Sequence, residues 1–197
     1  MIGKGHRAKG GAFSRSHDAL LLIDVINDLD FPEGKSLLRA ALPAAKKISA
    51  LKGLAGRAGI PVIYVNDNFG RWRSDFRQQV DHCLQANCIG RPLAELLKPE
   101  EEDYFVLKPM HSGFYSTSLE VLLEQLGVQR LILTGFATDL CVLYTANDAY
   151  MRNYRLAVPR DCVAAESLRR SRTALEHIGK RLDADISPSA GIRFRKR

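Results

Sequence analysis

The chain has 197 residues, of which 46% are hydrophobic, and a formal net charge of +7. This size allows one domain with a well-buried core and leaves little room for two. No apolar stretch approaches the roughly 20 residues of a membrane-spanning helix, so we expect a soluble protein with no membrane partner.

The positive charge lies at the two ends of the sequence. Four basic and no acidic residues precede residue 18, and four more basic residues follow residue 191. The remaining 21 basic residues are balanced by 22 acidic ones, so the central part is nearly neutral. We therefore predict a basic N-terminal tail (1–17), a single domain (18–190) and a basic C-terminal tail (191–197). Solvated tails explain this distribution without a nucleic-acid partner, which we do not expect.

Four cysteines occur in a sequence whose N-terminus carries no apolar signal segment. This combination predicts a cytoplasmic protein with reduced thiols. His82, Cys83 and Cys88 lie close together in the sequence, but their spacing matches no zinc-binding pattern. We expect these three residues to have a structural role.

From residue 19 onward, apolar runs alternate with segments of helical period. The predicted strands are ALLLID (19–24), IPVIYVN (60–66), DYFVLKP (103–109), RLILTG (130–135), YRLAVPRD (154–161) and a short last strand, DADI (183–186). The predicted helices cover residues 36–59, 76–86, 93–98, 117–126, a long segment ending near 152, and 164–181. Pro43 marks either a kink or the first turn of a second helix.

The alternation of strands and helices predicts an α/β fold, with a mostly parallel sheet and helices on both faces. Right-handed crossovers bring every strand-to-helix loop to the same edge of such a sheet. Ligands bind in the crevice at this edge, where the strands have their carboxyl ends.

Three reactive side chains are predicted to lie at that edge. Asp24 ends the first strand, Lys108 ends the third, and Cys141 follows the fourth. Singly, they are best interpreted as a turn residue, a surface lysine and a packed thiol. Their joint placement favours a site that contains an acid, a basic partner and a nucleophile.

The start of the helix that carries Cys141 favours an anion. Thr138 is a predicted N-cap, which makes Asp139, Leu140 and Cys141 the first three helical residues. Free N–H groups and the positive end of the helix dipole are expected to lower the pKa of a thiol there. The same N–H groups can hold the oxyanion that forms when a thiolate attacks a carbonyl.

A family resemblance rests on the segments LLIDVINDL, LKPMHSGFYST and LTGFATDLCV, together with ANDAYMRNYRLAV and Asp161. These segments resemble the isochorismatase-like cysteine hydrolases, a superfamily that includes nicotinamidases and other amide-cleaving enzymes. The match runs from about Leu20 to Glu166. It implies a three-layer αβα fold with a six-stranded, mostly parallel, Rossmann-like sheet.

The resemblance also implies site residues. It places an Asp-Lys-Cys triad at Asp24, Lys108 and Cys141, and a cis peptide bond between Phe136 and Ala137. The amide groups of Ala137 and Cys141 would then form the oxyanion hole. Because related proteins usually form dimers or larger oligomers, we expect a homo-oligomer, either a dimer or a tetramer.

The implied reaction is the cleavage of a C–N amide or imide bond in a small molecule, through a thioester on Cys141 and without a cofactor. An isochorismatase-type vinyl-ether hydrolase is an alternative, although that reaction needs no cysteine. A catalytically silent ligand-binding relative is another. A thiol redox sensor would need a resolving cysteine near Cys141, which the sequence does not offer, and no G-x-G-x-x-G motif supports a nucleotide oxidoreductase.

The stretch after the second strand departs from the nicotinamidase pattern. Nicotinamidases that resemble this chain hold a metal there with an aspartate and two histidines. Asp67 is present, but Phe69 replaces the first histidine, and no histidine follows before His82. Since one carboxylate does not make a metal site, we predict that there is no catalytic metal and that nicotinamide is not the favoured substrate.

An aromatic pocket wall with a few polar groups is predicted for the substrate, which suits a small planar molecule. Arg71 or Arg73 is a candidate partner for a substrate carboxylate. Trp72 and Phe76 have an alternative role in contacts between subunits. The predicted substrate-binding residues are Asn27, Phe31, Arg71, Trp72, Phe114, Tyr115 and Phe136.

Overall fold

The computed structural model describes residues 15–70 and 75–195. Its strands are β1 (Asp18–Ile23), β2 (Val62–Asp67), β3 (Tyr104–Lys108), β4 (Arg130–Phe136), β5 (Arg155–Ala157) and β6 (Val163–Ala164). Its α-helices are α1 (Gly34–Ala58), α2 (Phe76–Cys83), α3 (Arg91–Leu96), α4 (Leu119–Leu126), α5 (Leu143–Met151) and α6 (Leu168–Arg181). A π-helical turn, Thr138–Val142, leads into α5, and a short 3-10 turn spans Ser189–Gly191.

The six strands form one sheet in which all pairings between strands are parallel. The strand order is β3-β2-β1-β4-β5, and β6 also pairs with β4. The predicted six-stranded, three-layer α/β fold is therefore confirmed. Strand order reverses between β1 and β4, and the crevice at such a switch point is where sheets of this type bind ligands.

Both faces of the sheet are covered, which explains the continuous apolar runs in the strands. All six residues of β1 are buried. Leu20 and Leu22 face a core that includes α1, α2 and α3, whereas Leu21 and Ile23 face a second core that includes α4, α5 and α6. Each buried leucine or isoleucine stabilises the fold by about 1.5 to 3 kcal/mol.

Helix α1 is continuous through Pro43. Its apolar positions recur every three or four residues, from Leu37 through Ala41, Ala44 and Ile48 to Leu51, and all of them are buried. Pro43 lies on the exposed side. Arg39, whose carbonyl group loses its helical partner there, is also an exposed residue, so one proline does not divide the helix.

The carboxyl ends of β1 and β4 approach each other at Gly135. This glycine has a φ of 116°, and a Cβ atom on it would lie 2.0 Å from the carbonyl oxygen of Ile23. No other residue type fits this position without moving the backbone. The close approach brings the residue after β1 next to the turn after β4.

The last strand differs from the prediction. The DADI segment contributes only one isolated bridge, between Ala157 and Asp185. The sixth strand is instead Val163–Ala164, which pairs with Gly135 and Phe136 while β5 pairs with the first half of β4. A two-residue strand is too short to show a periodic pattern in the sequence.

Ser16, Ile192 and Arg195, which lie in the predicted tails, contact the domain. Ser16 is buried, and its N–H donates to the Leu126 carbonyl at 2.9 Å. Ile192 is also buried, and the N–H of Arg195 donates to Asp18 Oδ2 at 2.6 Å. Residues 191–195 therefore lie on the domain, while the predicted tail boundaries stay predictions. Within residues 15–70 and 75–195, no helix has the length and apolarity needed to cross a bilayer.

Candidate active site

Three strand ends supply the side chains of the site. Asp24 follows β1 directly in a left-handed conformation, with φ at 50°, and its N–H donates to the Val65 carbonyl at 3.0 Å. Lys108 is the last residue of β3, two strands away, and its register partner in β2 is Asp67. The lysine side chain therefore reaches past the end of β2 toward β1. Cys141 lies in the turn that follows β4.

The structure brings the three predicted residues together around the Lys108 ammonium group. Lys108 Nζ lies 2.8 Å from Asp24 Oδ2 and 3.6 Å from Cys141 Sγ. The lysine side chain is fully buried, and Asp24 and Cys141 are 5% and 8% exposed. A buried cation is retained only with such partners, so Lys108 joins the carboxylate and the thiol into one polar cluster.

Asp67 is a fourth member of this cluster. Its N–H donates to Asp24 Oδ1 at 2.7 Å, and its own Oδ2 lies 3.4 Å from Lys108 Nζ. The sequence suggested Asp67 only as the remnant of a metal site. The register of β2 with β3, which places Asp67 beside Lys108, is the signal that would have revealed this role.

The region of the nicotinamidase metal contains other contacts. Asp67 Oδ1 accepts a hydrogen bond from the Phe69 N–H at 2.6 Å, and the Phe69 side chain is exposed. Among residues 15–70 and 75–195, no group of three or more His, Cys, Asp and Glu side chains is arranged to hold a metal ion. The absence of a catalytic metal stays a prediction.

Burial controls the protonation of the cluster. It raises the pKa of Asp24, and the Lys108 charge offsets part of this rise. Burial also raises the pKa of the Cys141 thiol, and the Asp24 carboxylate raises it further, although Lys108 acts in the opposite direction. Burial disfavours the charge on Lys108, but the contributions of Asp24, Cys141 and Asp67 together outweigh this effect and raise the lysine pKa.

The expected lowering of the thiol pKa is therefore wrong for the resting site. The prediction considered only the local helix start and a nearby lysine. The structure adds the desolvation of the thiol and the negative charge of Asp24, both of which favour the protonated form.

The turn that carries Cys141 also differs from the prediction. The N-cap position is held by Ala137, and Thr138 is the first residue of a π-helical turn. The Thr138 hydroxyl is paired with Ser171 of α6 at 2.9 Å and does not cap the helix. The N–H groups of Leu140 and Val142 both donate to the Ala137 carbonyl at 3.2 Å. The peptide bond between Phe136 and Ala137 is cis.

The predicted substrate-binding residues are divided between surface and core. Phe31 and Tyr115 are 37% and 57% exposed, so both can contact a ligand. Asn27 is half-buried, and its Oδ1 accepts a hydrogen bond from the Leu29 N–H at 2.8 Å, which fixes the turn after β1. Phe136 is almost fully buried in the first core. Arg71, Trp72 and Arg73 lie outside the described residues.

Phe114 is packed as a core residue, and its predicted contact with substrate stays a prediction. It is 5% exposed, and its ring centroid lies 6.0 Å from that of Tyr154. The Arg152 guanidinium covers the ring at 4.8 Å. Phe114 packs in the second core, whereas the next residue, Tyr115, faces outward.

His82, Cys88 and Phe76 also have structural contacts. His82 Nε2 lies 3.4 Å from Asp28 Oδ2, and Cys88 Sγ contacts the Asp28 carbonyl at 3.7 Å. Phe76 is buried against Tyr64, so the alternative of a subunit contact does not suit it. All four cysteines of the chain are free thiols.

The chain is similar to a known family and to known proteins over most of its length. The family model of the isochorismatase domain matches residues 18–187. The isochorismatase family protein YaaI of Bacillus subtilis, itself uncharacterized, is 38% identical over 179 residues, which cover 91% of this chain and 98% of YaaI. The ureidoacrylate amidohydrolase RutB of Methylobacterium radiotolerans is 30% identical, with 79% of this chain and 71% of RutB covered.

A solved structure gives the same result. The N-carbamoylsarcosine amidase of Thermoplasma acidophilum is 26% identical and superposes with a TM-score of 0.68. The superposition covers 89% of this chain and 98% of the amidase. With the domain match across most of its length, the chain belongs to the isochorismatase-like hydrolase family.

Proposed function

We propose that this protein is a cysteine hydrolase that cleaves a C–N bond of a small amide, imide or ureide through a thioester on Cys141. The observation that carries the proposal is the position of Lys108 Nζ, between Asp24 Oδ2 at 2.8 Å and Cys141 Sγ at 3.6 Å. A buried thiol beside both a cation and a carboxylate has the partners it needs to lose its proton during attack.

The first step is a proton transfer within the cluster. With Lys108 charged, Asp24 and Asp67 supply two carboxylates against one cation, so a thiolate formed by loss of a proton to solvent would add further negative charge. Transfer of the Cys141 proton to Asp24 instead leaves the net charge unchanged. Asp24 then acts as the general base, and Lys108 stabilises the thiolate as it attacks the carbonyl carbon.

The remaining steps return the proton and the thiol. The Sγ–C bond forms, and the carbonyl oxygen becomes an oxyanion held by the N–H groups of Ala137 and Cys141. Protonated Asp24 gives its proton to the nitrogen as the C–N bond breaks, which releases ammonia or an amine. Asp24 next takes a proton from water, the hydroxide adds to the thioester, and the C–S bond breaks. Cys141 regains its proton from Asp24.

The substrate class follows the proposed chemistry and the relatives. One relative is named for ureidoacrylate and one for N-carbamoylsarcosine, and both names describe enzymes that act on a nitrogen bound to a carbonyl group. Ureido and carbamoyl compounds are therefore the first candidates, followed by simple amides and imides. Among the described residues that were predicted to bind substrate, Phe31 and Tyr115 are the aromatic ones exposed enough to contact such a molecule.

A screen of small ureides, carbamoyl compounds, amides and imides is expected to show ammonia or amine release with at least one of them. The Cys141→Ala variant should lose this activity, because no other described thiol contacts Lys108. Cys88→Ala is the matched control, since it removes a half-buried thiol outside the cluster and should keep the activity. Full hydrolysis by Cys141→Ala would contradict the thioester mechanism.

The pH dependence of kcat/KM should reflect Asp24. Only the ionised carboxylate can accept the thiol proton, and burial raises the pKa of Asp24 above its usual 3.8. Activity on a substrate that does not titrate should therefore fall with decreasing pH through a midpoint above 3.8, while circular dichroism shows a folded protein. A midpoint at or below 3.8 would show that Asp24 is not the base.

Two alternatives are distinguished by the same experiments. A silent ligand-binding relative would release no ammonia from any compound of the screen. A vinyl-ether hydrolase would keep its activity after Cys141→Ala. Assembly as a dimer or tetramer and a cytoplasmic location remain part of the proposal.

A further inference from the structure

A single buried hydroxyl connects the turn that carries Cys141 with the loop that follows Lys108. Thr145 Oγ1 donates to the Cys141 carbonyl at 2.7 Å and accepts a hydrogen bond from the Gly113 N–H at 3.0 Å. The Thr145 side chain is fully buried, so both bonds are shielded from water. Gly113 is five residues after Lys108, and Thr145 is one helical turn after Cys141.

A second pair of side chains fastens the same loop to the same helix. The Ser112 hydroxyl donates to the Asp148 carboxylate and accepts from the Phe114 N–H at 3.2 Å. Arg152 holds Asp148 from the other side, with Nη1 3.2 Å from Oδ1. Since Thr145 and Asp148 are three residues apart, they lie on one face of α5. We call the contacts of Thr145 and Asp148 with the loop the loop clamp.

The loop is also confined on its other side. A Cβ atom on Gly113 would lie 2.7 Å from Val65 Cγ1 and 3.5 Å from Thr145 Cγ2. The loop backbone is therefore held between β2 and α5, and only glycine fits at this position. Such contact on both sides leaves the loop little freedom, so its hydrogen bond with Thr145 fixes its distance from the turn that carries Cys141.

We propose that Thr145 is a positioning residue, which sets the separation of Lys108 Nζ and Cys141 Sγ through the loop clamp. The inference rests on the proposed function, in which Lys108 stabilises the Cys141 thiolate. Thr145 contacts the Cys141 carbonyl but forms no hydrogen bond with the thiol or the lysine, so it acts through the backbone. Removal of its hydroxyl leaves the buried Gly113 N–H and the Cys141 carbonyl without their shared partner, and the loop and the Cys141 turn shift relative to each other to satisfy these groups.

The test compares the rate at which iodoacetamide alkylates Cys141 in wild type and three variants. Peptide mass mapping confirms that Cys141 is the alkylated residue. Thr145→Val keeps the shape of the side chain but lacks the hydroxyl, and Thr145→Ser keeps the hydroxyl. Thr134→Val is the matched control, because Thr134 is fully buried and its hydroxyl donates to the Leu21 carbonyl at 2.8 Å in the middle of the sheet. Thermal unfolding is measured for every variant.

Thr145→Val should slow the alkylation roughly tenfold to a hundredfold, since small displacements in an active site have effects of this size. Thr145→Ser should restore the rate to within a few-fold of wild type. Thr134→Val should keep the wild-type alkylation rate even if it loses as much thermal stability as Thr145→Val. If Thr145→Val does not fold, Ser112→Ala tests the other half of the clamp, with the same slowing expected.

Two negative results have different meanings. If Thr145→Val is alkylated as fast as wild type, or slows no more than Thr134→Val, while wild type hydrolyses a compound of the screen, the positioning role is wrong and the proposed function stands. If the wild-type protein releases no ammonia or amine from any compound of the screen, the proposed function fails, and the positioning role fails with it.

Discussion

Replacing Lys108 with methionine is expected to remove turnover almost completely. Methionine has a similar length but no charge, so neither the thiolate nor the oxyanion adduct would have a nearby cation. Loss of one such electrostatic contact typically lowers kcat by about 10²- to 10³-fold. Measurement of kcat/KM with the substrate found by the screen tests the result, and activity within tenfold of wild type would contradict it.

The same substitution should also destabilise the fold, because Asp24 and Asp67 lose their shared partner. Breaking a buried ion pair costs about 3 to 5 kcal/mol, less whatever Asp24 recovers by binding a proton. Lys52→Met separates this effect from catalysis. Lys52 is a second buried lysine, with its Nζ 2.8 Å from Asp103 and 3.2 Å from Glu100. That variant should lose similar stability but keep its turnover.

The sequence predicted the features that depend on continuous apolar runs. The apolar run of β1 predicts a strand that is covered on both faces of the sheet. The structure agrees, because all six residues of β1 are buried. Right-handed crossovers then place the carboxyl ends of the parallel strands on one edge. From these two facts Asp24, Lys108 and Cys141 were expected at the same edge. In the structure, Asp24 Oδ2 and Cys141 Sγ lie 2.8 and 3.6 Å from Lys108 Nζ.

Features that depend on long-range contacts could not be predicted from the sequence. Thr138 has the chemistry of an N-cap, but its hydroxyl pairs with Ser171, 33 residues away. Phe114 and Tyr115 are adjacent aromatic residues in a loop without periodicity, so no pattern shows which of them faces inward. The two residues of β6 are likewise determined by their partner strand β4.

The pKa of the Cys141 thiol was also mispredicted because long-range contacts determine it. A helix start and a lysine are local signals, and both favour a thiolate. Burial and the Asp24 charge act in the opposite direction, and both arise only when three strand ends meet. The consequence is mechanistic: the resting thiol keeps its proton, so catalysis requires a base in contact with the cluster, and Asp24 is that base in the proposed mechanism.

Asp24→Asn should therefore separate thiol ionisation from turnover. Asparagine keeps the shape and can still accept the Asp67 N–H, but it cannot take or return a proton, and loss of a general base lowers kcat by about 10²- to 10⁴-fold. The carboxylate also raises the Cys141 pKa, so its removal lowers that pKa and leaves Lys108 free to pair with the thiolate. Iodoacetamide should label Cys141 at least as fast as in wild type while hydrolysis is lost.

Asp18→Asn is the control for this result, because Asp18 lies at the opposite end of the same strand. It is fully buried and accepts two hydrogen bonds from Arg130, at 2.9 and 2.6 Å. Its replacement also removes the charge of a buried, paired carboxylate, so a comparable loss of stability with full turnover is expected. If Asp24→Asn lowers the rate of Cys141 labelling and the rate of hydrolysis in the same proportion, Asp24 serves only to ionise the thiol. The later proton transfers then belong to another group.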